Sequence, residues 1–168
     1  MNVLETIRSR RSIRKYQAGA AVPKEDLKQI LEAAMMAPSA CNTRPWEFAV
    51  VENRDLLDAI MKVHPYVSML RTASLAIIVC AKPEVQEGIC LGYFPQDCGA
   101  ATQNILLSAK ALGYGTCWCG VYPNEERVKV VKEIIGVDST PFAVVALGVA
   151  DEEPAARGYY DESRVKWL

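Results

Sequence analysis

A chain of 168 residues that is 51% apolar is long enough to form a single domain, expected over residues 1–168, that buries roughly 70% of its unfolded surface. Its 19 Lys and Arg against 20 Asp and Glu leave a net charge of -1, which argues against a broadly basic face for DNA or RNA. No apolar stretch reaches the roughly eighteen residues of a membrane span and Met1–Glu5 has no signal-peptide core, so a cytoplasmic protein without a membrane partner is expected.

In chain order, Val3 to Ser9 predicts a short amphipathic helix, followed directly by a basic run. A second helix is expected after Val22, with Pro23, Glu25 and Asp26 in its first turn, Leu27, Ile30, Leu31 and Ala34 as its apolar stripe, and an end near Met36 imposed by Pro38. Glu47–Val51 has strand composition. Asn53 can cap a helix carrying Leu56, Leu57, Ile60 and Met61. The unbroken apolar run Ser74–Cys80 predicts a central strand buried on both faces. From Asp97 to Leu112 the residues are nearly all small or aliphatic, and the uncharged stretch Cys98–Ala109 predicts a helix buried on most sides. Gly113-Tyr114-Gly115 breaks it, Thr116–Cys119 reads as a strand, Asn124–Ile135 as a helix with Val128, Val131 and Ile135 inward, and Phe142–Val149 as the last internal strand. Asp151–Leu168 is polar and aromatic, with no core of its own. The fold class expected is α/β or α+β, in layers.

Two segments carry chemistry. Arg8, Arg10, Arg11, Arg14 and Lys15 place five cations within eight residues. If this run is extended, Arg10, Ser12 and Arg14 share one face, where two guanidinium forks and a hydroxyl can converge on an anion, while Arg11, Ile13 and Lys15 lie opposite. The alternative is a solvated basic turn. The second segment, Ala37-Pro38-Ser39-Ala40-Cys41-Asn42-Thr43-Arg44-Pro45-Trp46, is a rigid, donor-rich loop able to lay backbone amides, Ser39 and Asn42 against a flat polar ligand.

Arg10-Arg11-Ser12-Ile13-Arg14, Ala37–Asn42 with Pro45-Trp46, and Ala111-Leu112-Gly113-Tyr114-Gly115-Thr116-Cys117-Trp118 together resemble the nitroreductase family, in order and spacing over essentially the whole chain. The resemblance implies an α+β fold: a mixed β-sheet flanked by helices, a long buried central helix and a C-terminal tail extending onto the partner subunit. It implies a homodimer with FMN at the subunit interface, and ping-pong transfer of electrons from NADH or NADPH to nitroaromatic, quinone or similar small-molecule acceptors.

Carried onto this sequence, it implies that Arg10 and Ser12 hold the FMN phosphate and ribityl end with Arg11 close by. Arg14 would stand where negative charge collects on reduction of the ring, raising its potential. Pro38, Ser39, Ala40 and Asn42 would contact the flavin from the other subunit. A backbone amide of Gly120, or next to it Cys119, would meet the flavin N5, and Arg157 would add to the phosphate site. The family often has a second basic residue there, for which Arg164 or Lys166 can stand, and Tyr66 or Ser68 can replace an Asn that larger members direct at the flavin edge. No catalytic base and no metal site are expected, since the cofactor carries the electron chemistry.

Other readings of individual residues are plainer. His64, beside Pro65, is expected at the surface. The six cysteines are expected as reduced thiols, mostly small buried hydrophobes; Cys117 and Cys119 lack further ligands for a metal, and as alternate residues of a strand they are poorly placed for a dithiol redox role beside a flavin, so packing is expected of them. Tyr93 and Phe94 read as a lid or as subunit contacts, and Arg8 and Lys15 as surface cations. Competing functions are a specialised flavin enzyme, performing flavin fragmentation or reductive removal of an aromatic substituent, and a non-catalytic flavin-binding protein. Product analysis and bleaching of bound flavin by NAD(P)H separate the three.

Overall fold

The structure is a computed structural model that describes residues 2–155 and 157–168. Five helices, α1 (Val3–Ser9), α2 (Lys24–Met35), α3 (Arg54–Val63), α4 (Phe94–Ala111) and α5 (Glu125–Ile135), surround four strands, β1 (Trp46–Val51), β2 (Leu75–Ala81), β3 (Gly115–Gly120) and β4 (Thr140–Gly148). Asn side chains cap three of the helices: Asn2 in a reciprocal box with Glu5, Asn53 on Leu56 N and Asn124 on Arg127 N. Gly136 ends α5 in the left-handed region at φ 66°, with its N–H on Lys132 O. Helix α4 begins at Phe94, earlier than the expected Asp97. Pro95 occupies its first turn, where a missing N–H leaves no helical bond unmade.

The strand order is β1-β2-β4-β3, and each neighbouring pair is antiparallel. Parallel pairing enters at a single bridge, Ser12 to Thr116, which lays the basic run against the outer edge of β3. The period of two along β2 and β4 divides the interior. Leu75, Ile77, Val79, Val145 and Leu147 pack on one face with Leu27, Ile30, Cys98, Ala101 and Ile105 of α2 and α4. Ala76, Ile78, Cys80, Val144 and Ala146 pack on the other with Leu57, Ile60 and Val131 of α3 and α5. With both faces covered, β2 is buried from end to end, as its apolar run predicts. No helix among the described residues is long and apolar enough to cross a membrane.

Candidate functional site

The basic run is extended and held from both sides. Ile13 N donates to Thr116 O at 2.9 Å, Asp151 N to Lys15 O at 2.9 Å, and Gln17 N to Val149 O at 3.0 Å. Glu152 accepts from the backbone amides of Arg14 and Lys15. Ile13 and Tyr16 are buried in the core under the α3–α5 layer, and the Tyr16 hydroxyl donates to Ile13 O at 2.7 Å. Burial, aided by nearby Cys117, Cys119 and Glu152, keeps that phenol protonated far above its ordinary range.

Alternation then places the side chains. Arg10, Ser12 and Arg14 all lie near enough to the Cys117 thiol to lower its pKa, so the three side chains gather around one buried group. The guanidinium groups of Arg10 and Arg14 make no hydrogen bond or ion pair with any described residue. Arg11 differs: its guanidinium donates to Arg8 O at 2.8 Å, Arg10 O at 2.6 Å and Ala155 O at 3.2 Å, so it fastens the tail to the run. The adjacent Cys119, together with Arg14, Ser12 and Arg10, lowers the Cys117 pKa despite burial, while Cys117 and burial push Cys119 up. Among the described residues no group of three or more His, Cys, Asp or Glu is placed to hold a metal ion.

The same edge of β3 continues to Gly120. Because Thr116 turns its carbonyl away from β4 to meet Ile13 N, antiparallel alternation turns Trp118 and Gly120 outward as well, and directs Gly115, Cys117 and Cys119 toward β4. The Cys119 amide therefore faces the β4 ladder, and the Gly120 amide faces out. A Cβ built on Gly120 would meet nothing nearer than Tyr122 O at 3.8 Å. His64 corrects an expectation: it is 1% exposed, and its Nε2 lies 2.9 Å from Gly120 O. The proline after it suggested a surface connection, but α3 delivers the ring under the end of β3. Burial and the neighbouring Arg127 lower its pKa from the ordinary 6.5.

The loop after α2 is unusual in its backbone. Cys41, Asn42 and Arg44 have φ of 51°, 56° and 50°, a region that Asn tolerates and that Cys and Arg seldom adopt. Such conformations cost on the order of 1–3 kcal/mol each and persist where surrounding bonds over-determine them. Here Ser39 Oγ accepts from Arg44 N at 2.9 Å, Asn42 Oδ1 from Arg44 Nε at 3.1 Å, and Asp97 Oδ1 from Ala40 N at 3.1 Å. Gln86 Nε2 donates to Thr43 Oγ1 and to Asp97 Oδ2. A disulfide joins Cys41 to Cys90, with Cα atoms 6.2 Å apart. That corrects the expectation of reduced cysteines for this pair. The loop and Gly88–Cys90 meet in space although separated by 49 residues, and Cys80, Cys98, Cys117 and Cys119 remain free and buried. No hydrogen bond or ion pair among the described residues joins Pro38, Ser39, Ala40 or Asn42 to the basic run.

A cleft of about 610 Å³ opens beside the run, lined by Arg8, Arg10, Arg11, Lys110, Tyr114 and Glu152 among others. Lys110 and Arg8 had no mark in the sequence that set them apart from surface cations; the end of α4 and the packing of α1 on it bring them there. Arg157 is exposed, the cleft lining stops at Pro154, and Arg164 is paired with Asp161 at 3.0 Å. Arg127, Gln86 and Asp97, which support the edge and the loop, were likewise missed; in sequence each looks like an ordinary helix or turn residue.

Comparison with known proteins gives a consistent picture. A family model described as the nitroreductase family matches residues 7–67 and 62–150. A Methanothermobacter thermautotrophicus protein assigned as an NADH dehydrogenase/NAD(P)H nitroreductase is 46% identical, over 99% of this chain and 88% of its own. An FMN-dependent nitroreductase of Clostridium difficile superposes with a TM-score of 0.88 at 30% identity, covering 98% of each chain. A Desulfovibrio desulfuricans protein assigned as a nitroreductase and solved in complex with FMN gives 0.84 at 29% identity, covering 100% of this chain and 97% of that one.

Proposed function

The chain belongs to the nitroreductase family, and on that premise we propose that this oxidoreductase binds FMN and uses NADH or NADPH to reduce nitroaromatic, quinone or similar electron-poor acceptors in a ping-pong cycle. One observation carries the cofactor reading: two guanidinium groups bonded to no described residue, with the Ser12 hydroxyl, gather near Cys117 on the strand edge that also presents the outward Gly120 amide. The residues fit FMN, since its phosphate needs cations without other partners and its ring edge needs a donor with open space above it.

In this reading Arg10 and Ser12 hold the phosphate end. Arg11 supports them by keeping the tail against the run. Arg14 places a fixed positive charge toward the ring, favouring the state with more electrons. Gly120 N–H donates at the reactive edge, and Cys119, whose amide faces β4, contributes packing. FMN, when bound, supplies the hydride chemistry.

Pro38, Ser39, Ala40 and Asn42 complete the site from a second copy of the chain. The lack of any hydrogen bond or ion pair between them and the run among the described residues supports this, as do the exposed Val3, Leu4, Met36, Ile89 and Leu91. Arg157 lies on the exposed tail, which would reach the partner. The protein acts as one cytoplasmic domain. The test is to load purified protein with FMN and mix it anaerobically with NADH or NADPH, then with an acceptor. Bleaching and recolouring of the flavin, with saturation patterns of a ping-pong cycle, are expected; a protein that takes up no FMN refutes the reading.

A further inference from the structure

The cleft beside the basic run gathers cations that the rest of the molecule leaves unpaired. Arg8 lies in the last turn of α1, Arg10 opens the extended run and Lys110 lies in the last turn of α4, yet all three line one concavity of about 610 Å³. None of their side chains makes a hydrogen bond or ion pair with any described residue. The carboxylates nearby are engaged elsewhere. Glu5 accepts from Asn2 N at 3.0 Å, and Glu152 accepts from the amides of Arg14 and Lys15. Asp26, which reaches the wall residue Tyr114, accepts its hydroxyl at 2.5 Å. Glu153, also in the lining, is exposed and pairs with none of the cations. Lys110 is half-buried, and a cation drawn partly out of water beside others of its own sign is stabilised by an anion. The macrodipole of α4 favours one cation at this end, which accounts for Lys110 alone and not for its meeting with Arg8 and Arg10.

We propose that this cleft is a phosphate-monoester site in which Lys110 and Arg8 are binding residues beside Arg10. A dianion calls for more than one cation, and guanidinium forks and an ammonium group are suited donors to phosphate oxygens. The volume is that of a pocket for a whole small ligand and far exceeds a phosphate group. Beyond the cations, the Tyr114 ring, Ile13 and Pro154 supply walls that can cover a sugar. Two reactants of the proposed cycle carry such a phosphate, FMN at its 5′ end and NADPH at its 2′ position. Naming these two as the sources rests on that functional reading. Ser12, Arg14 and Gly120 are not in the lining, so the cleft extends the proposed flavin site past Arg10 and does not repeat it.

The experiment measures phosphate selectivity in full-length wild type, K110M, R8Q and the double variant. Flavin fluorescence gives the affinities for FMN and riboflavin, and steady-state assays in excess FMN give kcat/KM for NADPH and NADH. Each pair differs by one phosphate group. In the double variant one of the two preferences is expected to fall about ten- to a hundred-fold, while the partner lacking that group stays within about threefold. A fall in FMN over riboflavin places the flavin phosphate in the cleft, and a fall in NADPH over NADH places the 2′-phosphate there. K110R, which keeps the charge, is expected to retain the wild-type preference. K129M makes the same change of charge outside the cleft and is expected to leave both ratios unaltered. Both ratios unchanged in the double variant overturn the inference, and so does an equal fall in K129M, which would reduce the effect to overall charge. If wild type takes up neither flavin, the functional reading fails and inorganic phosphate tests the cleft by itself. Broadening of its 31P line that the double variant abolishes then supports the inference, and an unbroadened line in wild type overturns it.

Discussion

Replacing Gly115 with alanine tests how the basic run is held in place. A Cβ at residue 115 would lie 2.9 Å from each of Cβ, Cγ1 and Cγ2 of Ile13, where carbon atoms prefer about 3.5–4.0 Å. Ile13 cannot turn aside easily, because its β-branched side chain is stiff at χ1 and both its backbone groups are bonded, N–H to Thr116 and C=O to Tyr16. Relief requires the run itself to move off β3. Overpacking of this kind costs about 1–3 kcal/mol. Alanine in an allowed strand conformation returns about 0.4–1 kcal/mol through the unfolded chain. The net loss is about 0–2.6 kcal/mol, a fall in Tm of up to roughly 10 °C for a domain of this size. Thermal unfolding followed by circular dichroism measures it. Flavin-fluorescence titration should show FMN affinity weakened together with stability, because Arg10 and Arg14 move with Ile13. In an Ile13→Ala background, itself less stable, the cost of Gly115→Ala should shrink, a coupling readable as a double-mutant cycle. A higher Tm for Gly115→Ala, or an unchanged Tm with no coupling to Ile13→Ala, would refute the reasoning.

Arg10→Ala is expected to weaken FMN binding by about 1.5–3 kcal/mol, roughly ten- to a hundred-fold, and an unchanged fluorescence titration removes it from the phosphate site. Reducing the Cys41–Cys90 disulfide with excess dithiothreitol should lower the urea midpoint: closing 49 residues corresponds to at most about 4 kcal/mol on the chain-entropy account. Cys41→Ser should match the reduced protein, and equal midpoints with and without reductant would show that the bond does not stabilise the fold. His64 has a folded pKa below its unfolded 6.5, so as pH falls the unfolded chain takes the proton first. Its contribution is complete above about pH 6.5 and declines below it by at most about 1.4 kcal/mol per pH unit. H64Q should flatten that part of the urea-stability profile between pH 7.5 and 5, and an identical slope would show that another group titrates there.

The layers of the fold were legible because each rests on a local pattern. Ser74–Cys80 has no polar residue after Ser74, so it must be covered on both faces, and the uncharged Cys98–Ala109 can only be an interior helix. The extended course of the basic run, on which the expected shared face of Arg10, Ser12 and Arg14 rests, agrees with its bonds to β3 and to the tail. What escaped the sequence depends on partners far along the chain. His64 is buried because Gly120 and Arg127 meet it, and nothing at Val63-His64-Pro65 signals either. Cys41 and Cys90 are joined because two separate loops converge beside α4, whereas composition and setting spoke only for reduced thiols. That the Gly120 amide faces out and the Cys119 amide faces β4 needed the register of β3 on β4, which one residue of slip would reverse.

The bonds that straighten the basic run have a consequence for how the protein is made. Arg14 and Glu152 are 138 residues apart, so at roughly 5–20 residues per second synthesis of the intervening chain takes roughly 7–28 s. Through that interval the arginines lack the carboxylate and backbone groups of residues 149–155 that fix them. The first segment to leave the ribosome is thus among the last to acquire its final shape. A stalled or truncated product ending before Val149 would hold all four strands and helices α1 to α5, yet lack the partners that set its arginines in order.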